Sequence, residues 1–344
     1  MGGMWVFIVI LLGLAIFKKV FKSMDVFSDD FPPVGTDSGS SQTEVQDVQA
    51  EVQDVQPKEE HVRPEVRNVQ SSDTIIEKPS EKPSEQPQPA PKAVSSARRL
   101  FGLIGKPLGH SKSEQLFKDK FKREHINADY CNFELESIED LPGIISANPN
   151  LCGFNVTIPY KEAVIPYMDE LDESASAVGA VNAVKVIRNG ESARLVGYNT
   201  DCIGFTESIK EHIGDRKKAL ILGTGGVSKA VKHAFDLLGI ESRYVSRSSS
   251  FDILGYYELS PSILDEYTVI VNCTPVGMHP NNDQCPDIPY SFLSAEHLVY
   301  DVIYNPQETL FMKKSREYGA TAIGGEKMFE LQAAASWNIW NGQD

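Results

Sequence analysis

The segment that most restricts the fold is a short apolar strand that runs into a glycine-rich turn. Lys218 to Leu222 (KALIL) is followed by Gly223-Thr224-Gly225-Gly226, and Val227 to Leu238 then has helical spacing of apolar residues. Glycines in such a turn let a pyrophosphate approach the backbone, and the free N–H groups at the helix start attract it. The segment predicts a Rossmann-type nucleotide site. Because Ser228 replaces the third fingerprint glycine, a purely structural glycine turn remains the alternative.

The strand that follows this helix favours NADP over NAD. In NAD sites an Asp or Glu about 20 residues beyond the glycines binds the ribose hydroxyls. Here the corresponding stretch, 242–248 (SRYVSRS), has no carboxylate. Arg247 can instead pair with a 2′-phosphate, with hydrogen bonds from Ser246 and Ser248. An ordinary surface position for Arg247 is the alternative.

From Arg99 onward, segments typical of strands alternate with segments typical of helices. We predict strands over 100–104, 130–133 and 153–157, and helices over 113–123 and 138–147. This βαβαβ order is typical of an α/β fold with parallel strands. The part of the chain from Arg99 to the C-terminus is therefore predicted to be an α/β protein with a buried core.

The residues before Arg99 have a different composition. Met4 to Phe17 (MWVFIVILLGLAIF) is a continuous apolar run, and lysines follow at 18, 19 and 22. No charged residue occurs from Met1 to Phe17, and about 17 such residues are near the lower limit for crossing a bilayer, provided that the lysine side chains extend the segment. Lysines after the run place the rest of the chain in the cytoplasm. We predict an uncleaved membrane anchor over 1–25, attached through residues 4–22 to the inner face of the cell membrane. If translation began at Met24, the chain would lack this apolar run.

Residues 26–98 are rich in Ser, Glu, Gln, Pro, Asp and Val and have very few aromatic side chains. Such a composition cannot bury enough apolar surface to offset the entropy of ordering the chain. We therefore predict that this stretch is a disordered linker between the anchor and the α/β part.

Charge and cysteine content exclude several partners. The 344 residues include 33 Lys+Arg and 48 Asp+Glu, a net charge of −15, which repels nucleic acid. The five cysteines are odd in number and lack the spacing of metal ligands, so we expect reduced thiols and no metal site.

Three further strings place polar residues at the predicted edges of strands. The loop 105–113 (GKPLGHSKS) carries the hydroxyls of Ser111 and Ser113, which suit a small anion. In 155–162 (NVTIPYKE), Lys161 lies just beyond the carboxyl end of a strand, where α/β sheets bind ligands. The strings 179–183 (GAVNA) and 197–201 (GYNTD) supply Asn182 and Asp201.

Taken in order, these strings resemble the motifs of the shikimate dehydrogenase family, over about the last 245 residues from Leu100 onward. The resemblance continues through 272–278 (NCTPVGM), 301–306 (DVIYNP) and 325–333 (GEKMFELQA). The chain departs from the family at Glu114, where proline is usual, at Ser246, where asparagine is usual, and at Lys327, where glycine is frequent.

The resemblance implies a substrate-binding α/β domain, built from 99–200 and 325–344, and a Rossmann-like NADP-binding domain over 201–324. It implies reversible NADPH-dependent reduction of 3-dehydroshikimate to shikimate, a step of chorismate and aromatic amino acid biosynthesis. Lys161 and Asp201 would be the catalytic pair. The implied substrate-binding residues are Ser111, Ser113, Thr157, Asn182, Tyr304 and Gln332. The implied cofactor-binding residues are Gly223, Gly225, Gly226, Ser246, Arg247, Ser248, Thr274, Met278 and Gly325.

The chemistry of these residue types agrees with the implied reaction. Hydride delivery to a ketone builds negative charge on its oxygen, and a nearby ammonium can stabilise that charge and supply the proton. Lys161 fits this role without a metal. Two alternatives stay open, namely a quinate/shikimate dehydrogenase that uses NAD and a membrane-tethered binding protein of the same fold without activity. The chain is expected to be a monomer or a homodimer.

Overall fold

The computed structural model describes residues 98–109 and 111–343. The predicted anchor lies outside this range, and so does the predicted linker except for Arg98. Among the described residues, no helix has the length and apolar character needed to cross a membrane. The described residues belong to one compact unit and form two six-stranded sheets.

The first sheet has the strand order β2-β1-β3-β5-β6-β4. Its strands are β1 (Arg99–Gly105), β2 (Ala128–Glu134), β3 (Leu151–Val156), β4 (Glu170–Leu171), β5 (Ala183–Asn189) and β6 (Ser192–Tyr198). Strand β1 runs parallel to β2 and β3, as predicted. No strand was predicted at β5, which is antiparallel to both β3 and β6. Strands β5 and β6 form a hairpin whose turn contains Gly190 at a φ of 66°, a conformation that glycine adopts easily.

Three helices accompany this sheet, namely α1 (Ser113–Arg123), α2 (Leu141–Ala147) and α3 (Glu173–Val178). The bounds of α1 agree with the prediction. The predicted helix over 138–147 is divided into a 3₁₀ turn, Ile138–Asp140, and α2. The division falls where Pro142 enters the first turn of α2, because proline suits a helix start and cannot donate within a helix.

The second sheet is fully parallel, with the order β12-β11-β10-β7-β8-β9. Its strands are β7 (Lys218–Leu222), β8 (Glu241–Ser246), β9 (Ile253–Gly255), β10 (Val269–Asn272), β11 (Leu298–Asp301) and β12 (Thr321–Ile323). This is the Rossmann order, and it places the topological switch point between β7 and β10. Ligands of such sheets bind outside the carboxyl ends of those two strands.

The later helices are α4 (Thr200–Ile209), α5 (Gly226–Leu238), α6 (Pro261–Glu266), α7 (Leu310–Glu317) and α8 (Glu326–Trp340). Helix α8 follows the second sheet in sequence but packs on the first. Trp340 stacks on Phe101 with 4.9 Å between ring centroids, and its indole N–H donates to the carbonyl of Val184 over 3.0 Å. Burial of aromatic side chains of this size contributes roughly 2 to 3 kcal/mol each. Helix α8 is thereby fixed with Gln332 toward the carboxyl ends of β1 and β3.

Candidate active site

A cleft of about 320 Å³ lies at the carboxyl ends of strands from both sheets. Its walls come from the loops after β1 and β3 on one side, the loops after β10 and β11 on the other, and α8. It contains eleven of the residues predicted for the site. These are Ser111, Ser113, Thr157, Lys161, Asn182, Asp201, Thr274, Met278, Tyr304, Gly325 and Gln332.

A larger and more open depression, about 570 Å³, lies elsewhere and contains none of the predicted site residues. It is lined by α2 and the β5–β6 hairpin, with Arg188 and Asp169 at its polar edge. The guanidinium of Arg188 donates to the carbonyls of Ile145 and Asn148, and Asp169 accepts from the backbone of Leu195. The polar groups of Arg188 and Asp169 are thus used in hydrogen bonds to the backbone and do not converge on a common point. The smaller cleft is therefore the better candidate for the active site.

The central feature of the cleft is a buried ion pair. The Nζ atom of Lys161 donates to Oδ2 of Asp201 over 2.6 Å, and the two side chains are only 11% and 8% exposed. Removing one member of a buried pair leaves an uncompensated charge, which costs several kcal/mol. The two groups are therefore held together on the wall of the cleft, with the ammonium available to a polar atom bound beside it.

The position of Asp201 is fixed by the start of α4. Asn199 caps this helix, since its side-chain oxygen accepts from the backbone of Cys202 over 3.2 Å. The amide nitrogen of Asn199 donates to the carbonyl of Ala180 over 2.9 Å. Asn182 accepts from the backbone of Thr200 over 2.6 Å. The first turn of α4 is favourable for a carboxylate because the helix dipole is positive there.

The end of the cleft predicted to bind a carboxylate carries hydroxyl groups on two loops. The side chain of Ser111 accepts from the backbone of Ser113 over 3.2 Å, which orders the start of α1. The ring of Tyr304 stacks on Phe329, with 4.2 Å between centroids. Burial raises the pKa of Tyr304, and a hydrogen bond with Ser111 opposes this. The phenol therefore stays a neutral donor beside Ser111 and Thr157, which also line the cleft.

The glycine turn after β7 has the geometry expected of a nucleotide-binding turn. Gly223 has a φ of 102°, and a side chain on it would collide with Thr274 in the loop after β10. A Cβ on Gly225, the residue before α5, would have no atom within 4 Å. Gly225 immediately precedes α5, and the start of such a helix is where a pyrophosphate would be bound. Gly225 therefore fits the cofactor role that the sequence predicts.

Ser246, Arg247 and Ser248 lie at the carboxyl end of β8, outside the 320 Å³ cleft. Arg247 and Ser248 are exposed. Burial raises the pKa of the neighbouring Tyr256 to about 12, and the charge of Arg247 opposes this. The only carboxylate on β8 is Glu241 at the opposite end of the strand. An arginine without a carboxylate beside it suits a ribose 2′-phosphate.

Two of the predicted cofactor residues have contacts that the sequence did not indicate. A Cβ on Gly325 would lie 2.2 Å from the carbonyl oxygen of Val302, so the close approach of α8 to the loop after β11 requires glycine. A Cβ on Gly226 would lie 3.2 Å from Cβ of Lys161. Both glycines adjoin the cleft, and the roles of all the predicted site residues remain proposals.

Sequence reasoning missed a buried polar network behind the cleft. The phenol of Tyr130 donates to the side-chain oxygen of Asn155 over 3.0 Å, and the amide nitrogen of Asn155 donates to Ser336 over 2.9 Å. Ser336 lies 3.1 Å from the hydroxyl of Thr200. The network joins β2, β3, α8 and α4. Its one visible signal in the sequence is a polar residue, Asn155, near the end of an apolar strand.

A second buried group that the sequence did not indicate lies at the end of β11. Asp301 accepts hydrogen bonds from Thr309 over 2.7 Å and from Asn272 and the backbone of Ile303 over 3.1 Å each. Asn272 in turn accepts from the hydroxyl of Thr274 over 2.6 Å. Asp301 thus links the two cleft loops that follow β10 and β11.

Three features define the class of α/β dehydrogenases that use a dinucleotide: a parallel sheet in Rossmann order, a glycine turn at its switch point, and a lysine–carboxylate pair on the wall of the cleft. Comparison with known proteins narrows this class. The family model for the shikimate dehydrogenase substrate binding domain matches residues 103–184. The shikimate dehydrogenase (NADP(+)) of Methanococcus maripaludis is 36% identical over 269 residues, which are 72% of this chain and 94% of the relative.

Solved structures agree with this. Shikimate dehydrogenase 1 from Peptoclostridium difficile is 37% identical, with a TM-score of 0.62 over 71% of this chain and 92% of that one. The enzyme from Thermus thermophilus, solved with NADP(H) and shikimate, is 27% identical, with a TM-score of 0.62 over 71% and 94%. The chain belongs to the shikimate dehydrogenase family. The predicted family and the predicted α/β fold are confirmed.

Proposed function

We propose that this chain catalyses the reversible NADPH-dependent reduction of 3-dehydroshikimate to shikimate. Membership of the family and the names of its relatives support the reaction and the cofactor. The observation that carries the proposal is the buried pair of Lys161 and Asp201, 2.6 Å apart on the wall of the cleft. A protein that only binds a ligand has no need of a buried ammonium and carboxylate at that place, because such a pair is costly to bury.

Substrate is held by groups on both sides of this pair. Ser111, Ser113, Thr157 and Tyr304 donate hydrogen bonds to the substrate carboxylate, and Asn182, Asp201 and Gln332 bind the ring hydroxyls. A neutral Tyr304 is needed for this, since a phenolate would repel the carboxylate, and burial raises its pKa in the required direction. These hydrogen bonds orient the ring so that its ketone oxygen lies near the Lys161 ammonium. Orientation of this kind accounts for a large part of the rate gain in enzymes.

Lys161 acts on the ketone oxygen. NADPH, when bound, supplies the hydride to the carbonyl carbon. The ammonium of Lys161 stabilises the negative charge that builds on the oxygen and donates a proton to it. Asp201 holds the ammonium in position toward this oxygen through their 2.6 Å hydrogen bond. In the reverse direction, Lys161 accepts the proton of the shikimate hydroxyl.

NADP would be held along the carboxyl edge of the second sheet. Gly223 and Gly225 would let its pyrophosphate reach the start of α5, and Arg247 would pair with its 2′-phosphate, assisted by Ser246 and Ser248. Thr274, Met278 and Gly325 line the end of the groove that adjoins the substrate. The fit rests on the open space at Gly225 and on the exposed Arg247 at the end of a strand that carries no carboxylate there.

The test is a steady-state assay of the full-length protein with shikimate or quinate and NADP or NAD. We expect the highest kcat/KM with shikimate and NADP. Replacement of Lys161 with alanine should lower kcat by about 10² to 10⁴-fold. Because the change leaves Asp201 buried without its partner, it should also lower the Tm, so the assay is run well below the Tm of the variant. Lys232→Ala, at a partly exposed position of α5, is the matched control and should retain wild-type kcat. Faster turnover of quinate with NAD, or full activity of Lys161→Ala, would contradict the proposal.

We also propose that residues 4–22 attach the enzyme to the inner face of the cell membrane, with the catalytic part in the cytoplasm. The support is the apolar run followed by three lysines. Fractionation of cells that produce the full-length chain should leave it in the membrane pellet after a carbonate wash, whereas a chain starting at Met24 should be released. Recovery of both forms in the supernatant would refute the attachment. Gel filtration of the released form would distinguish monomer from homodimer.

A further inference from the structure

The glycine turn and the lysine–carboxylate pair are in direct contact. A Cβ built on Gly226, the first residue of α5, would lie 3.2 Å from Cβ and 3.4 Å from Cδ of Lys161. The distance to Cβ is tighter than most contacts between such atoms, and the distance to Cδ is at the lower limit of ordinary van der Waals contact. The stem of Lys161 therefore passes over the bare backbone of Gly226 on its way to Asp201.

Lys161 has little room to move away from α5. Its carbonyl accepts from the backbone of Val181 over 2.8 Å. The next residue, Glu162, forms an ion pair with Lys229 on α5, with 2.6 Å between Nζ and Oε2. One end of the lysine is held by its backbone and by this pair, and the other end is held by Asp201. An obstruction at Gly226 would be relieved most easily by bending the stem, which moves the ammonium.

We propose that Gly226 is a positioning residue for Lys161 rather than a contact for the cofactor phosphates. This inference rests on the function proposed above and deepens it. The two glycines of the same turn then have different tasks. Gly225 leaves space for the dinucleotide, because its Cβ would meet nothing, whereas Gly226 leaves space for the catalytic lysine. The start of α5 thus adjoins both the cofactor site and the lysine that donates the proton. The ion pair between Glu162 and Lys229 fixes the position of Lys161 relative to α5.

The decisive experiment compares Gly226→Ala with Gly225→Ala in the full-length enzyme, with kcat and the KM for NADPH measured for each. Gly226→Ala should lower kcat about threefold to tenfold, since Lys161 must give way by a few tenths of an ångström and a displacement of about 1 Å costs about a hundredfold. Its KM and Kd for NADPH should stay within about twofold of wild type. Gly225→Ala should show the opposite pattern, with a raised KM for NADPH and a smaller change in kcat.

Further measurements separate displacement of Lys161 from general disruption. The solvent deuterium isotope effect on kcat should rise in Gly226→Ala, because proton transfer from a displaced lysine becomes slower. In a crystal structure of this variant, the distance from Nζ of Lys161 to Asp201 should exceed its present 2.6 Å. Gly143→Ala, at a helical position where a Cβ also meets nothing, is the control for the added methyl group and should behave as wild type.

A second variant adds no atom to the interior and so cannot fail through overpacking. Lys229→Met removes the ion pair with Glu162 and should lower kcat about twofold to fivefold at unchanged KM for NADPH. Lys232→Met, which removes the pair with Asp236 one turn later on α5, should leave kcat unchanged. Equal effects of the two methionine variants, or a Gly226→Ala enzyme with kcat within twofold of wild type, would overturn the inference. A wild-type chain without activity on shikimate would instead overturn the proposed function.

Discussion

The buried carboxyl of Asp301 should make the stability of the protein depend on pH. Burial raises the pKa of Asp301 from 3.8 to about 6, although hydrogen bonds from Thr309, Ile303 and Asn272 favour the charged form. At about 1.4 kcal/mol per pH unit, the difference between these two values corresponds to about 3 kcal/mol. The unfolded chain has the ordinary pKa. Between about pH 4 and pH 6 the folded protein therefore keeps a proton that the unfolded chain has lost.

The difference in bound protons determines how the stability of the folded protein changes with pH. Because the folded state binds the extra proton, its stability falls as the pH rises through this interval, and the full loss is present above about pH 6. Asp301→Asn keeps the shape of the side chain and removes the charge. The free energy of unfolding of this variant, minus that of wild type, should thus increase by about 2 to 2.5 kcal/mol between about pH 4 and about pH 7.5, most of the full value of about 3 kcal/mol.

Urea unfolding of both proteins, at several values of pH across this range, measures the difference directly. Any effect of altered hydrogen bonding is nearly the same at every pH, so only the pH-dependent part reports on the buried charge. Asp265→Asn, at an exposed position of α6, controls for the change in net charge. A difference between Asp301→Asn and wild type that stays constant, or that decreases with rising pH, would refute the reasoning.

Three further predictions concern the core, the cofactor and a helix cap. Gly153→Ala should lower the free energy of unfolding by about 1 to 3 kcal/mol in urea, because its Cβ would lie 2.4 Å from the indole of Trp340; Gly143→Ala, again the control, should not. Arg247→Gln should raise the KM for NADPH at least tenfold while that for NADH changes little, and equal changes would contradict the role given to Arg247. Asn199→Ala should lower the free energy of unfolding, measured by thermal denaturation, by about 1 to 2 kcal/mol, since it removes the cap of α4. An unchanged Tm would contradict a stabilising role for this cap.

The parts of the fold that could be predicted from sequence are those that local pattern determines. Helix α1 begins and ends where its spacing of apolar residues indicated, and the glycine turn lies between β7 and α5 as expected. The β5–β6 hairpin was missed, although the sequence Asn189-Gly190 is a hairpin signal; the two turn residues, between the paired Asn189 and Ser192, are Gly190 and Glu191. No strand was predicted there, because the alternation of strands and helices was followed only as far as residues 153–157.

The site shows the same limit. The order of the motifs predicted that Lys161 and Asp201 take part in the same reaction. Because the two residues are 40 positions apart, the sequence could not predict the distance between their side chains. The contact of Gly226 with Lys161 could not be predicted, because it depends on how the second sheet meets the loop after β3. The network through Asn155 and Ser336 joins residues 181 positions apart. Only the folded chain brings such partners together.

The return of α8 to the first sheet affects how the nascent chain can mature. The side chains of Arg99 and Asn341, at the two ends of the described chain, are hydrogen-bonded across 242 positions. A ribosome that has finished β6 must still add the whole second sheet before Trp337 and Trp340 can cover Phe101. During that interval the apolar face around Phe101 is open to chaperones and proteases. A stalled chain that ends before Glu326 should therefore be digested faster than the released protein.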